Sequence, residues 1–177
     1  LLQTKDYNAK AYHAGLSPEL RNSTYSQFVA DDVEIVVATI AFGMGIDKSN
    51  IRFVVHMSLP KTIENYYQEI GRAGRDGSPS ETLLLYGSGD SVKQRLHINE
   101  IPDDEHRRLG FEKLAQMGRL ASGEACRHQQ IARYFEDNID VCSTLCDVCN
   151  SPDYEKEDIS KEAQMFLSAI FRTDSRF

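Results

Sequence analysis

The sequence predicts an α/β fold: a parallel sheet with flanking helices, followed by a helical segment that carries a cysteine cluster. Three observations lead there. Over the first ninety residues, short β-branched apolar segments alternate with helix-like ones, the pattern of parallel strands joined by crossover helices. From Ser91 to Asp137 no strand signal remains. All four cysteines, Cys126, Cys142, Cys146 and Cys149, lie in the last third of the chain.

The elements follow in order. Lys10-Ala11-Tyr12-His13 is a short strand candidate that stops at Gly15. Ser17-Pro18-Glu19 then opens a helix running to about Ala30, with Ser as N-cap, Pro at the first helical position and an acid in the first turn. Glu34 to Thr39 is almost continuously apolar, as expected of a strand covered on both faces, and Ile51 to His56 is a second such strand. Pro60 and Thr62 open another helix with the apolar stripe Ile63, Tyr66, Tyr67 and Ile70, and Thr82 to Tyr86 is the third apolar strand. Beyond Gly87-Ser88-Gly89, helices are expected at 91–98, 104–118 and 124–137, broken at Pro102 and Gly123. Residues 151–158 are polar and acidic and read as a linker. A final amphipathic helix follows, with Ala163, Phe166, Leu167 and Ile170 on one stripe. The expected division is 1–90, 91–150 and 151–177.

Composition sets limits. The 177 residues are 41% hydrophobic and 27% charged, ordinary globular usage with enough apolar material for a core. Twenty Lys+Arg against 27 Asp+Glu give a net charge of −7, which argues against a general nucleic-acid binder. No apolar run approaches the roughly 20 residues of a membrane span, and Leu1 to Asp6 carries no basic n-region. Without an initiator Met, the chain reads as a piece of something longer.

Two segments carry chemistry. Gln68-Glu69-Ile70-Gly71-Arg72-Ala73-Gly74-Arg75-Asp76-Gly77 ends the second expected helix. Gln68, Arg72 and Arg75 are spaced i, i+4 and i+7 and project from the face opposite the apolar stripe if the helix persists, and Gly71 and Gly74 are expected to unwind it toward Arg75. Glycines let backbone approach a ligand while guanidinium forks reach phosphate oxygens, and a permanent bidentate charge suits a transferring phosphoryl group. The plainer reading is a basic helix end with surface ion pairs. Ala38 to Asp47 follows a strand directly and offers the Thr39 hydroxyl, exposed backbone at Gly43 and Gly45, and the Asp47 carboxylate. Function in open α/β sheets collects at the carboxyl ends of strands. Here the plainer reading is a strand-to-loop turn with Asp as a cap.

The cysteines are separated by fifteen, three and two residues. Four thiolates at such spacing form a closed tetrahedral zinc site. With no spare protein ligand and no acid–base partner nearby, the expected role is structural. Buried free thiols and two disulfides are the alternatives, the latter unusual in a protein with no secretion signal. Arg107, Arg108, Lys113, Arg119, Arg127 and Arg133 surround the cluster and form either a basic face for DNA or a solvated helical surface.

In their order and spacing, Tyr12 to Leu16, Ala38 to Lys48, Arg52 to His56 and Glu64 to Gly77 resemble superfamily 2 helicases, specifically the RecQ family of DNA helicases. Cys126-Arg127, Tyr134-Phe135 and Cys146-Asp147-Val148-Cys149 resemble that family's zinc subdomain. The resemblance implies a RecA-like second lobe, a zinc subdomain and the first helix of a winged-helix domain. It implies an ATP-dependent 3′–5′ DNA helicase of repair and recombination, with ATP and Mg2+ shared between this lobe and a first lobe. It also implies Arg75 as arginine finger with Arg72 and Gln68 beside it on the nucleotide. Asp47 would hydrogen-bond the ribose or couple the lobes, Gly45 would belong to the same nucleotide site, and Thr39, His13 and Gly43 would lie along a DNA strand. Expected partners are single-stranded and duplex DNA, ATP, the first lobe and the winged-helix domain, with no membrane. The expected location is the cytoplasm, on the nucleoid, in a bacterium, or the nucleus in a eukaryote. No Gly-x-x-x-x-Gly-Lys-Ser/Thr loop is present, so the 177 residues alone should not hydrolyse ATP. A non-catalytic zinc-stabilised binding module and an RNA helicase lobe are the alternative functions.

Overall fold

A computed structural model describes residues 2–39, 42, 46–151 and 160–172. It holds four strands, β1 (Ala9–Tyr12), β2 (Ile35–Ala38), β3 (Phe53–His56) and β4 (Glu81–Leu84), and seven α-helices. The helices are α1 (Pro18–Val29), α2 (Ile63–Ile70), α3 (Ser88–Asn99), α4 (Asp104–Ser122), α5 (Arg127–Tyr134), α6 (Asp147–Asn150) and α7 (Ser160–Arg172).

Each strand pair is a parallel ladder joined by one helix. β1 pairs with β2 across α1, Tyr12 opposite Ala38, and β3 pairs with β4 across α2, His56 opposite Leu84. The fold is thus two βαβ units, and among the described residues no ladder joins them. The apolar strands suggested cover on both faces, but Val37 and Val55 stay about half exposed, at 55% and 45%.

Local signals end the helices where the sequence places them. Ser17 caps α1, accepting from the Leu20 amide at 3.4 Å, with Pro18 following. Thr62 caps α2 through the Asn65 amide and Asp103 caps α4 through the His106 amide. Each side-chain oxygen satisfies an amide that has no partner within its helix. α5 is shorter than the expected 124–137 because Cys126 is its N-cap and Phe135 its C-cap.

Two cores form. Phe28, Val33 and Ile46 pack with Tyr25, Val36, Phe42 and Ile51 in the first unit. Leu59 and Ile63 of the second unit are buried with Leu114, Met117, Leu120 and Ile131 from α4 and α5. Packing therefore crosses the expected boundary near residue 90: α2 sits in one core with the helices of the cysteine half. The linker expected at 151–158 lies almost wholly outside the described residues. In α7, Met165, Phe166 and Leu167 are exposed.

Candidate active site and metal centre

The arginine segment leaves the helix early. α2 ends at Ile70, and tight turns take over through Gly71 N–H to Tyr67, Arg72 N–H to Glu69 and Ala73 N–H to Ile70. Gly74 has φ +65°, and a Cβ there would stand 2.6 Å from Ser80 Oγ and 3.0 Å from the Ser78 carbonyl. Only glycine fits that turn. The Gly74 amide donates to Ile51 O at 2.9 Å. Arg52 donates to Asp76 at 2.6 Å and to the Asn50 and Pro79 carbonyls. The arginine turn is therefore clamped beside the chain entering β3, not at the carboxyl end of a strand.

That placement brings the two chemical segments together. Arg75 Nη1 donates to Ile46 O at 3.1 Å and Nε to Gly71 O at 3.2 Å, and Nη1 stands 3.9 Å from Asp47 Oδ1. Asp47 is almost fully exposed, at 99%. Arg72 lies deeper, and its buried Nε meets no acceptor among the described residues. Burial and then the neighbouring Arg75 charge push its guanidinium below its usual pKa, while Glu69 acts the other way. A buried, unpaired guanidinium nitrogen beside a second cation is costly, and an anion held between them relieves both terms. Gln68 is exposed on the same segment.

Thr39 and His13 form a separate group. They sit one residue beyond the paired ends of β2 and β1, and the Thr39 amide donates to Tyr12 O at 3.1 Å. Both side chains are exposed. This pair does occupy the carboxyl end of a parallel ladder. Gly43 and Gly45 lie outside the described residues.

Three further contacts escape sequence reading. His56 Nε2 and Glu69 Oε2 are 2.7 Å apart, joining the end of β3 to α2 just before the arginines, and the His56 ring meets Tyr66 edge-on. Lys48, only 7% exposed, reaches Asp31 at 2.6 Å beyond the C-terminus of α1. Lys113 of α4 grips Glu64 of α2 at 2.6 Å. Their partners lie 13 to 49 positions apart in the chain, so no spacing rule could find them.

The cysteines converge. The sulfurs of Cys126, Cys142, Cys146 and Cys149 all lie within 4.8 Å of one another, with Cys126 buried. Tetrahedral Zn–S bonds of about 2.3 Å put sulfurs about 3.8 Å apart, so the set fits a zinc ion. The Cys142 amide donates to Cys126 Sγ and the Cys149 amide to Cys146 Sγ, both at 3.4 Å. Burial raises the Cys126 thiol, but amides of Cys142 and Gln129 outweigh it and hold the group at about 6. Burial and the neighbouring thiols push Cys149 up to about 12. Four thiolates so close need a cation among them. Arg127 laces the two arms of the site: Nε and Nη2 take both Asp147 oxygens at 2.9 and 2.8 Å, and Nη1 takes the Gly123 and Leu120 carbonyls. Of the surrounding cations, Arg107, Arg108, Lys113 and Arg127 are paired with carboxylates. Arg119 and Arg133 have no carboxylate partner among the described residues.

Residues 1–77 match the family described as "Helicase conserved C-terminal domain", and residues 88–150 match "RecQ zinc-binding". The chain belongs to the RecQ family. It corresponds to a RecQ-family helicase C-terminal region with a structural zinc site. Over 176 residues it is 42% identical to the ATP-dependent DNA helicase RecQ of Pasteurella multocida, covering 99% of this chain and 28% of that protein. The Bacillus subtilis protein of the same name is 42% identical, with 99% and 30% covered. A putative ATP-dependent DNA helicase Q1 of Caenorhabditis briggsae is 43% identical, with 96% and 28% covered. The chain therefore spans under a third of the length of these curated relatives. A crystal structure of a DEAD box protein from Methanococcus jannaschii superposes with a TM-score of 0.46 at 28% identity, over 54% of this chain and 26% of that one. Among the described residues, no helix of this RecQ-family chain is long and apolar enough to cross a membrane.

Proposed function

We propose that the complete protein is an ATP-dependent DNA helicase moving 3′ to 5′, and that this chain is its second motor lobe with the zinc subdomain attached. The observation that carries the reading is the buried, unpaired Nε of Arg72 beside Arg75, with Asp47 exposed at the same place. This is a cationic cradle facing outward, suited to the phosphates of a nucleotide held from a first lobe together with Mg2+. Arg75 acts as arginine finger, stabilising charge on the transferring phosphoryl group, with Arg72 and Gln68 beside it. Asp47 and Gly45 stand toward the ribose. Thr39, His13 and Gly43 contact backbone phosphates of single-stranded DNA, and closing and opening of the lobes shifts that grip. Zinc holds the helical half and takes no part in chemistry. A winged-helix domain continues from α7. Such a protein works on chromosomal DNA in repair and recombination, on the nucleoid or in the nucleus.

The names of the relatives support the DNA reading over an RNA one. The test is ATP hydrolysis by the complete protein with single-stranded DNA, then with RNA, then as Arg75→Ala. DNA stimulation that vanishes with Arg75 supports the proposal. Stimulation by RNA alone, or turnover that survives Arg75→Ala, overturns it.

A further inference from the structure

Nothing within α2 fixes how its arginines are aimed. The helix has only eight residues, Ile63–Ile70, and the arginines follow it on tight turns. Ile63, with Tyr66 and Ile70 against it, holds the helix in the second core, but apolar contacts are non-directional and leave rotation about the axis soft. Glu64 and Gln68 are spaced i and i+4 on α2, and Arg72 follows two residues past its end, so what turns Glu64 turns the helix end from which the arginine turn departs. At the side-chain radius of about 5–6 Å, a rotation of about 10° moves an atom by about 1 Å.

On one side His56 of β3 meets Glu69 at 2.7 Å; the contacts that hold the Glu64 side of the helix come from the zinc-bearing half. Lys113 Nζ meets Glu64 Oε1 at 2.6 Å. The second oxygen of that carboxylate, Glu64 Oε2, is buried and meets no hydrogen-bond partner among the described residues; the Tyr134 hydroxyl is its neighbour, and burial followed by Glu64 pushes the tyrosine's own pKa up to about 12. On the flank, the Tyr67 and Phe135 rings lie 5.0 Å apart. Thus α4, and α5 with its start at Cys126 and Arg127, grip α2 at a polar point and at an aromatic one.

We propose that Lys113, supported by Tyr134, is a positioning residue for the arginine turn: by holding Glu64 it sets the rotation of α2 and so the aim of Arg72 and Arg75. The inference rests on the nucleotide-site reading above. It assigns the zinc-bearing helices a part in phosphoryl transfer that needs no contact with nucleotide. Lys113 and Glu64 are 45% and 38% exposed, so the pair is a weak contributor to stability. Catalysis should respond more than folding does.

The test uses the complete protein with Lys113→Met, Tyr134→Phe and Lys113→Arg. A misplacement near 1 Å can cost up to about a hundredfold, and we expect Lys113→Met to lower the DNA-stimulated kcat about tenfold. KM for ATP, zinc content and melting temperature should stay close to wild type, since the arginines act in the transition state. Amide hydrogen exchange at residues 71–77 should quicken. Tyr134→Phe should show a smaller version of the same changes, and Lys113→Arg should restore kcat. An unchanged kcat in Lys113→Met overturns the proposal, as does a loss that tracks falling melting temperature or zinc content. If wild type hydrolyses no ATP, the parent reading and the assignment to phosphoryl transfer both fall. If wild type is active but exchange at 71–77 is unchanged in Lys113→Met, this proposal alone falls.

Discussion

The two sites differ in what they lack. The cysteine site is closed: four sulfurs lie within 4.8 Å, amides point at two of them, and Arg127 ties the flanking arms through Asp147. The arginine site is open: Arg72 Nε is buried without a partner and Asp47 is exposed. A closed site can complete itself with one ion, whereas an open one leaves its cations to be satisfied by a ligand brought from elsewhere. The first should therefore govern folding and the second turnover, with little crossing over except through α2.

The largest expected effect breaks the closed site. Structural zinc in small domains contributes about 10–16 kcal/mol of apparent binding free energy. Chelation or Cys146→Ser should therefore unfold residues 126–150. Because Leu114, Met117 and Ile131 share a core with Ile63, loss of order should reach α2. Zinc analysis with hydrogen exchange checks this, and a metal-free chain with unaltered melting would erase the distinction between the two sites. Arg75→Ala comes next. An arginine finger is worth about 10³–10⁵ in kcat, so ATPase in the complete protein should fall by that order. The melting temperature should hardly move, because Arg75 is exposed, donates to two carbonyls and otherwise meets only the exposed Asp47 carboxylate at 3.9 Å.

Gly74→Ala tests whether the open site is preformed. A positive φ costs a residue with a Cβ about 1–2 kcal/mol, and the contacts to Ser80 and to the Ser78 carbonyl add to it. Gly77 has φ +77° but nothing within 4 Å of an added Cβ, so Gly77→Ala should cost less in the same urea titration. Equal costs would show that the Ser78–Ser80 contact does not shape the turn.

The smallest effect is a pH dependence at the link between the sites. Burial raises the Glu64 carboxyl, but Lys113, Thr62 and Tyr134 outweigh it and lower the pKa from 4.5 to about 2. A depressed folded pKa gives stability that is full above 4.5 and lost as pH falls toward 2. Wild type should therefore lose more stability than Glu64→Gln over that window, measured as the difference in urea midpoints. Parallel curves would show that Glu64 is not held by the zinc-bearing half.

Much of the fold was legible because its signals are local. Ser17-Pro18 and Thr62 cap helices as their types require, β2 and β3 fall within their expected apolar runs while β1 and β4 begin one residue before theirs, and the cysteine spacing predicted a cluster that forms. The arginine row was legible as chemistry but not as geometry. The unwinding expected at Gly71 and Gly74 does occur, with α2 ending at Ile70, but the place of the turn beside the entry to β3 depends on Gly74 reaching Ile51 and Arg52 reaching Asp76. The pairing of the cations around the zinc site was not legible either, since charge in a sequence does not show its counter-charge: Lys113 finds Glu64, 49 positions away.

By itself the sequence determined the elements, their caps, the metal-ligand set and the arginine–glycine turn, because propensity, capping and short-range ligand spacing act over a few residues. Only the tertiary structure decided that α2 packs in one core with the zinc-bearing helices, that Arg75 meets Asp47, and that Arg72 Nε is left buried with no partner among the described residues. Those outcomes depend on long-range packing and on which polar groups lose water together, and neither is written in the spacing of residues along the chain.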